Sequence, residues 1–150
     1  MGLEMTSTIP LFYFQIYQGS HFHHEMSPIL DRITSLPFDF TSDPDGDWVG
    51  RMEIRQGASS PSSAPGTLLA SFDTDGSGDG EMTLGPDGVV RVDLPAAFTS
   101  TMSPTTGYGG LLQRGTLVWA DVRLTDPADS EPTVFFVGRG PIVKAVTLGV

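Results

Sequence analysis

Apolar and polar residues alternate along this chain, and that alternation constrains its fold more than any other feature. Between Asp47 and Leu94, and again between Gly115 and Leu148, short apolar runs are separated by Gly, Pro and Asp: DWVGRMEIRQ, GTLLASFDT, EMTLGPDGVVRVDLPAAF, GTLVWADVRLTDP and TVFFVGRGPIVKAV. Successive side chains on a strand point to opposite faces, so these runs fit half-buried strands. Trp48, Gly50, Met52 and Ile54 share one face, with Val49, Arg51, Glu53 and Arg55 on the other. Leu68, Ala70 and Phe72 repeat the pattern, as do Val118, Ala120, Val122 and Leu124. Met82 and Leu84 lead through Gly85-Pro86-Asp87-Gly88 to Val90, Val92 and Leu94, which is a hairpin signature. The expected fold is all-β: an antiparallel β-sandwich, immunoglobulin-like or jelly-roll-like, with Met52, Ile54, Phe72, Val90, Val92 and Leu94 in its core. One short helix is expected within residues 95–102, where Pro95 suits a first helical turn.

The remaining segments fill in around that frame. In residues 11–17, Phe12, Phe14 and Ile16 alternate with Tyr13, Gln15 and Tyr17, as in a strand with one inward face. In SPILDRITSL, Ile29, Leu30, Ile33 and Leu36 sit near helical spacing, which fits either one short helix or an irregular loop. Residues 41–47 form a turn by composition, and 57–66 and 103–114 are Gly-rich connections. Gly138 and Gly140 interrupt the last apolar stretch and suggest a bulge or bend before a final strand at 142–148. At 150 residues the chain is expected to be one domain spanning 1–150, with residues 1–8 loose. A chain of this size buries roughly 68–70% of its unfolded surface and folds without staples.

Composition removes several function classes. There are no cysteines, so no disulfide framework and no thiolate metal site. The formal charge is −10 and Lys144 is the one lysine, so the cationic footprint of a nucleic-acid binder is missing. No apolar run approaches the roughly 20 residues of a membrane helix. The first residues lack a basic n-region and a small-residue cleavage site, so no signal peptide is expected. The acidity itself fits solubility and avoidance of self-association.

Two clusters could carry metal chemistry. In DTDGSGDGEMTL, Asp73, Asp75 and Ser77 sit at calcium-loop positions, with Asp79 beside them and Gly78 where a sharp turn needs glycine. The twelfth position, which should be a bidentate acid, is Leu84, and the flanks read as strands. In His21-Phe22-His23-His24-Glu25, an extended backbone puts His21, His23 and Glu25 on one face. The plainer readings are a solvated hairpin loop and a surface or subunit-contact segment, so no metal and no cofactor is expected. Catalytic arrangements are weaker still. There is no Gly-x-Ser-x-Gly elbow, no Walker-type loop and no Asp-Thr-Gly, so no enzymatic activity is expected. Trp48 and Trp119 read as core anchors.

The succession RMEIR (51–55), GTLL (66–69), LGPDGVVRVDL (84–94), PAAFTSTM (95–102) and DVRLTDP (121–127) resembles a recurring module of tailed bacteriophages. It is similar to small tail and baseplate proteins and to N-terminal attachment domains of receptor-binding baseplate proteins and fibres. The likeness covers residues 39–147 and consists of packing motifs. The loop at 57–66 is longer than the module's usual link, and TTGYGGLLQRG replaces a short Gly-Tyr connection. The resemblance implies a structural virion protein, made in the host cytoplasm, that assembles with other phage structural proteins in several symmetric copies. It carries no catalytic residue onto this chain. Interface candidates are Phe12, Phe14 and Tyr17 in the aromatic N-terminal segment, Tyr108, Leu111 and Leu112 in the second Gly-rich connection, and the loop at 59–65. Rival expectations are a head decoration protein, or a carbohydrate-binding or calcium-dependent adhesion module.

Overall fold

The computed structural model describes residues 10–56, 66–104 and 118–144. The expectations for residues 1–8, for the loop at 57–65, for Tyr108, Leu111 and Leu112 within 105–117, and for the last strand beyond 144 lie outside the described residues. The strands are β1 (Leu11–Tyr13), β2 (Ile16–Tyr17), β3 (Phe22–Glu25), β4 (Val49–Gln56), β5 (Leu68–Asp73), β6 (Gly80–Leu84), β7 (Val90–Leu94), β8 (Val118–Thr125), β9 (Pro132–Gly140) and β10 (Ile142–Val143). One helix, α1, covers Ala96–Thr99. Among the described residues this is the expected all-β fold with one short helix after Pro95.

An eight-stranded sheet runs in the order β1-β9-β8-β4-β5-β6-β7-β3, and β10 pairs with β2 in a small second sheet. Pairing is antiparallel at β3–β7, β4–β5, β4–β8, β6–β7 and β8–β9, and parallel at β1–β9, β5–β6 and β2–β10. Large twisted sheets curl, and this one curls until its outermost strands meet through inward-facing rings. Phe12 of β1 lies 5.1 Å from His24 of β3, and Phe14 lies 6.2 Å from Phe22 of β3. The two layers of the sandwich are therefore the two halves of one curled sheet.

Met52, Ile54, Phe72, Val90, Val92 and Leu94 are fully buried, as their alternation requires, and Val118, Ala120, Val122 and Leu124 join them. Each large apolar side chain buried in this way stabilises the fold by about 1.5–3 kcal/mol. A second aromatic group closes one end of the core: Trp48 stands edge-on to Phe38, Phe40 and Phe135 at 5.3, 5.5 and 6.4 Å. Trp48 is thus the core anchor expected. Trp119 is not: its odd position in β8 turns it to the outer face, beside Arg55 of β4 and Arg139 of β9.

The N-terminal alternation holds, with Phe14 and Ile16 buried, but the strand is split into β1 and β2. The backbone N–H groups of Phe14, Ile16 and Gln18 donate to the carbonyls of Arg139, Pro141 and Val143 at 3.1, 3.1 and 2.9 Å. The segment therefore completes this chain's own sheet. The glycines of β9 answer that close approach and do not form a bulge. A Cβ at Gly140 would overlap the Phe14 carbonyl, and one at Gly138 would overlap the Phe12 ring. Register shifts fall elsewhere, between Val122 and Arg123 and between Ile54 and Arg55.

Of the two readings of SPILDRITSL, the irregular loop is observed. Asp31 Oδ1 accepts the backbone N–H groups of Ile33 and Thr34 at 2.8 and 3.0 Å, and Leu30 bridges to Pro37. An Asp side chain that satisfies nearby amides competes with helix formation. The helix α1 starts after Pro95, and Thr99 Oγ1 donates to the Ser20 carbonyl at 2.7 Å, which ties it to the start of β3.

Candidate functional site

The acidic loop between β5 and β6 is held by bonds within the protein. Asp73, buried at the end of β5, accepts from Arg51 Nη1 at 2.8 and 3.0 Å and from Ser77 Oγ at 3.3 Å. Asp79 accepts the backbone N–H of Ser71 at 3.1 Å. Asp75 accepts both the N–H and the hydroxyl of Ser77, at 2.9 and 2.7 Å, and these bonds hold its carboxyl below the usual range. The positive-φ glycine is Gly76, two positions before the one a calcium loop requires, and a Cβ at Gly78 would stand 2.7 Å from the Ser71 carbonyl. Asp73 and Asp75 thus meet at the Ser77 hydroxyl, while Asp79 is turned to Ser71.

The histidines form a chain of polar contacts along the outer face of β3 and β7. His23 Nδ1 lies 2.8 Å and His21 Nε2 3.2 Å from the same Asp93 oxygen. His23 Nε2 lies 3.3 Å from Glu25, and Arg91 bridges Glu25 and Asp87 at 3.1 and 2.6 Å. Hydrogen bonding to Asp93, then to Glu25, raises His23 above the ordinary histidine value. His24 points the other way. It is half-buried, with its ring parallel to Phe22 at 6.3 Å, and burial lowers its pKa. His21 and His23 thus meet on one carboxylate, and among the described residues no three of His, Asp and Glu are grouped to hold a metal ion.

Of the N-terminal interface candidates, Phe14 is in the core, Phe12 is half-buried against it, and Tyr17 is exposed. A groove of about 680 Å³ lies where the curled sheet stays open, lined by Tyr13, Phe14, Gln15, Phe22, His23, His24 and the end of β9. Arg139 donates to the Tyr13 hydroxyl at 3.1 Å and packs 5.0 Å from its ring centre at the groove's rim.

A second cleft, of about 700 Å³, was not legible in the sequence. It opens between the start of β4 and the far half of β6, and Phe40, Trp48, Met82, Leu84, Asp47, Asp75 and Glu81 are among its walls. It exists because β5 pairs with β6 only at Phe72–Gly80 and Asp73–Glu81, and the chain then leaves the sheet through the acidic loop. Gly50 makes room beneath it, since a Cβ there would meet the Met82 sulfur. The indole N–H of buried Trp48 has no hydrogen-bond partner among the described residues.

Among the described residues, most exposed large apolar side chains fall in two segments, with Val49 and Leu68 apart from them. Leu11, Tyr13 and Tyr17 lie along β1 and β2, and Leu30, Ile33 and Leu36 lie on the loop braced by Asp31, with Ile33 82% exposed. The second group was missed in the sequence because its spacing mimicked a helix face; the signal available was the pair of prolines, Pro28 and Pro37, bracketing it.

No family model and no curated protein matches the chain. Among solved structures, the NK cell receptor Nkp44, described as a triggering partner in natural cytotoxicity, is similar over 93% of this chain and 100% of its own, with 13% identity and a TM-score of 0.36. A likeness at that level carries no argument about either fold or partner.

Proposed function

We propose that this chain is a structural protein of a tailed-phage virion, a tail, baseplate or fibre-attachment component that works by assembly and not by catalysis. The resemblance of residues 39–147 supplies the class. The surface observation that carries the reading is the exposure of Leu11, Tyr13 and Tyr17 along one segment, and of Leu30, Ile33 and Leu36 along another. Exposed apolar patches mark interaction sites more often than scattered exposed residues do. The first segment lies on or next to β1, an outermost strand of the sheet, and a strand in that place offers unpaired backbone groups to another chain. Symmetric copies suit a component of this kind.

Mass spectrometry and antibody labelling of purified particles test the reading. The protein is expected in intact particles at a fixed copy number. The paired substitutions Ile33→Ser and Leu36→Ser are expected to leave a folded protein that enters particles poorly. Particles that lack the protein altogether would overturn the proposal.

A further inference from the structure

We infer that the cleft between β4 and β6 is a docking slot for a short extended segment of a partner protein bearing lysine or arginine side chains. The inference deepens the assembly reading and rests on it for the kind of partner. Its first support is an unfilled strand position. β5 occupies the place between β4 and β6 as far as Asp73; beyond that point Val49 on one side and Met82 to Leu84 on the other flank open space. The backbone of β6 faces that space. Met26 N–H donates to the Val90 carbonyl at 3.0 Å, so Val90 and Val92 turn their backbone groups toward β3. Alternation along antiparallel strands then directs those of Arg91 and Asp93 to β6, and those of Met82 and Leu84 away from β7. The parallel pair Asp73–Glu81 takes the Met82 N–H, and the Met82 carbonyl and the backbone groups of Leu84 are left facing the cleft. Beyond the Met82 N–H no strand pairs with β6 on that side among the described residues. An added strand would find backbone partners there and apolar walls in Phe40, Trp48 and Leu84.

The second support is charge. Asp47, Asp75 and Glu81 line the cleft, and none of them is ion-paired with a described residue. The nearby Arg51 is already shared between Asp73 and Glu53. Glu81 is also placed opposite Asp73 on one strand and Asp93 on the other. Like charges opposite one another destabilise a sheet, and a local rule broken in this way is expected where function requires it. A cationic side chain entering from a partner would relieve the repulsion at the same place where its backbone finds a strand to join.

The test uses the whole protein, isotope-labelled for amide NMR, and three short acetylated peptides. One alternates lysine with valine, one replaces each lysine by glutamate, and one keeps lysine and valine but carries N-methyl groups on alternate amides. The lysine–valine peptide is expected to shift the amides of Met82, Leu84 and Val49 and to slow hydrogen exchange at Leu84. The other two peptides, and the lysine–valine peptide against Asp47→Asn/Glu81→Gln, are expected to bind about tenfold more weakly or worse. The amide spectrum of that variant reports its folding directly. Equal binding of the glutamate or N-methylated peptide, shifts confined to another surface, or no shift at millimolar peptide would each overturn the inference. Because the isolated protein is used, such a failure leaves the particle test of the assembly reading standing, and absence from particles leaves the peptide result standing.

Discussion

Asp73 and Glu81 occupy partnered positions in the neighbouring parallel strands β5 and β6. Asp73 has Arg51 as its counter-ion; Glu81 is exposed, and its partner in β7 is a third carboxylate, Asp93. Replacing Glu81 by threonine removes the repulsion and adds a β-branched residue suited to a strand. The expected gain is about 0.2–1 kcal/mol, read as a rise in Tm of roughly 2–4 °C per kcal/mol for a chain of this size. The gain should shrink as salt is raised, because exposed charges are screened. Thermal unfolding at low and high ionic strength checks this; a fall in Tm would contradict it.

Phe14 belongs to the core although it lies near the chain start. Phe14→Ala is expected to destabilise the protein by about 3–5 kcal/mol. Deleting residues 1–18 removes Phe14 and Ile16 and leaves β9 and β10 without their parallel partners. The expected product lacks a cooperative unfolding transition. A truncated chain that melts like the intact one would show that the segment is a detachable arm.

Gly140 leaves no room for a side chain beside the Phe14 carbonyl. The obstacle is backbone, so it cannot swing aside as the end of a side chain could. Gly140→Ala should cost about 1–3 kcal/mol, the range for overpacking a close-packed site. Chemical denaturation measures it, and a change below half a kcal/mol would argue that β1 sits further from β9.

The pKa values of His23 and His24, adjacent in sequence, are shifted in opposite directions. The folded pKa of His23 is raised, so its contribution to stability is complete below the ordinary histidine value and is lost as pH rises through the raised one. The folded pKa of His24 is lowered by burial, then by the positive charge of His23. Its contribution is complete above the ordinary value and is lost as pH falls through the lowered one. Proton NMR of the imidazole C–H signals should show His23 with the higher midpoint, and Asp93→Asn should bring it down. Midpoints in the reverse order would refute the assignment.

Much of the core was legible in the sequence because a half-buried strand writes its two faces into alternate residues. Met52, Ile54, Phe72, Val90, Val92 and Leu94 are buried for that reason, and Pro95 marked the start of α1 because its ring sets a helical φ. The hairpin of β6 and β7 was announced by its Gly85-Pro86-Asp87-Gly88 turn; for the other strands, tertiary structure decided which are neighbours. Alternation assigns a residue to a face and says nothing of the strand beside it, so the parallel seat of the N-terminal segment could not be read. Nor could the placing of Glu81 between Asp73 and Asp93, the convergence of His21 and His23 on Asp93, or the strand position left open beyond Asp73. Those facts depend on register and on where a strand ends, which are set by contacts between residues far apart in the chain.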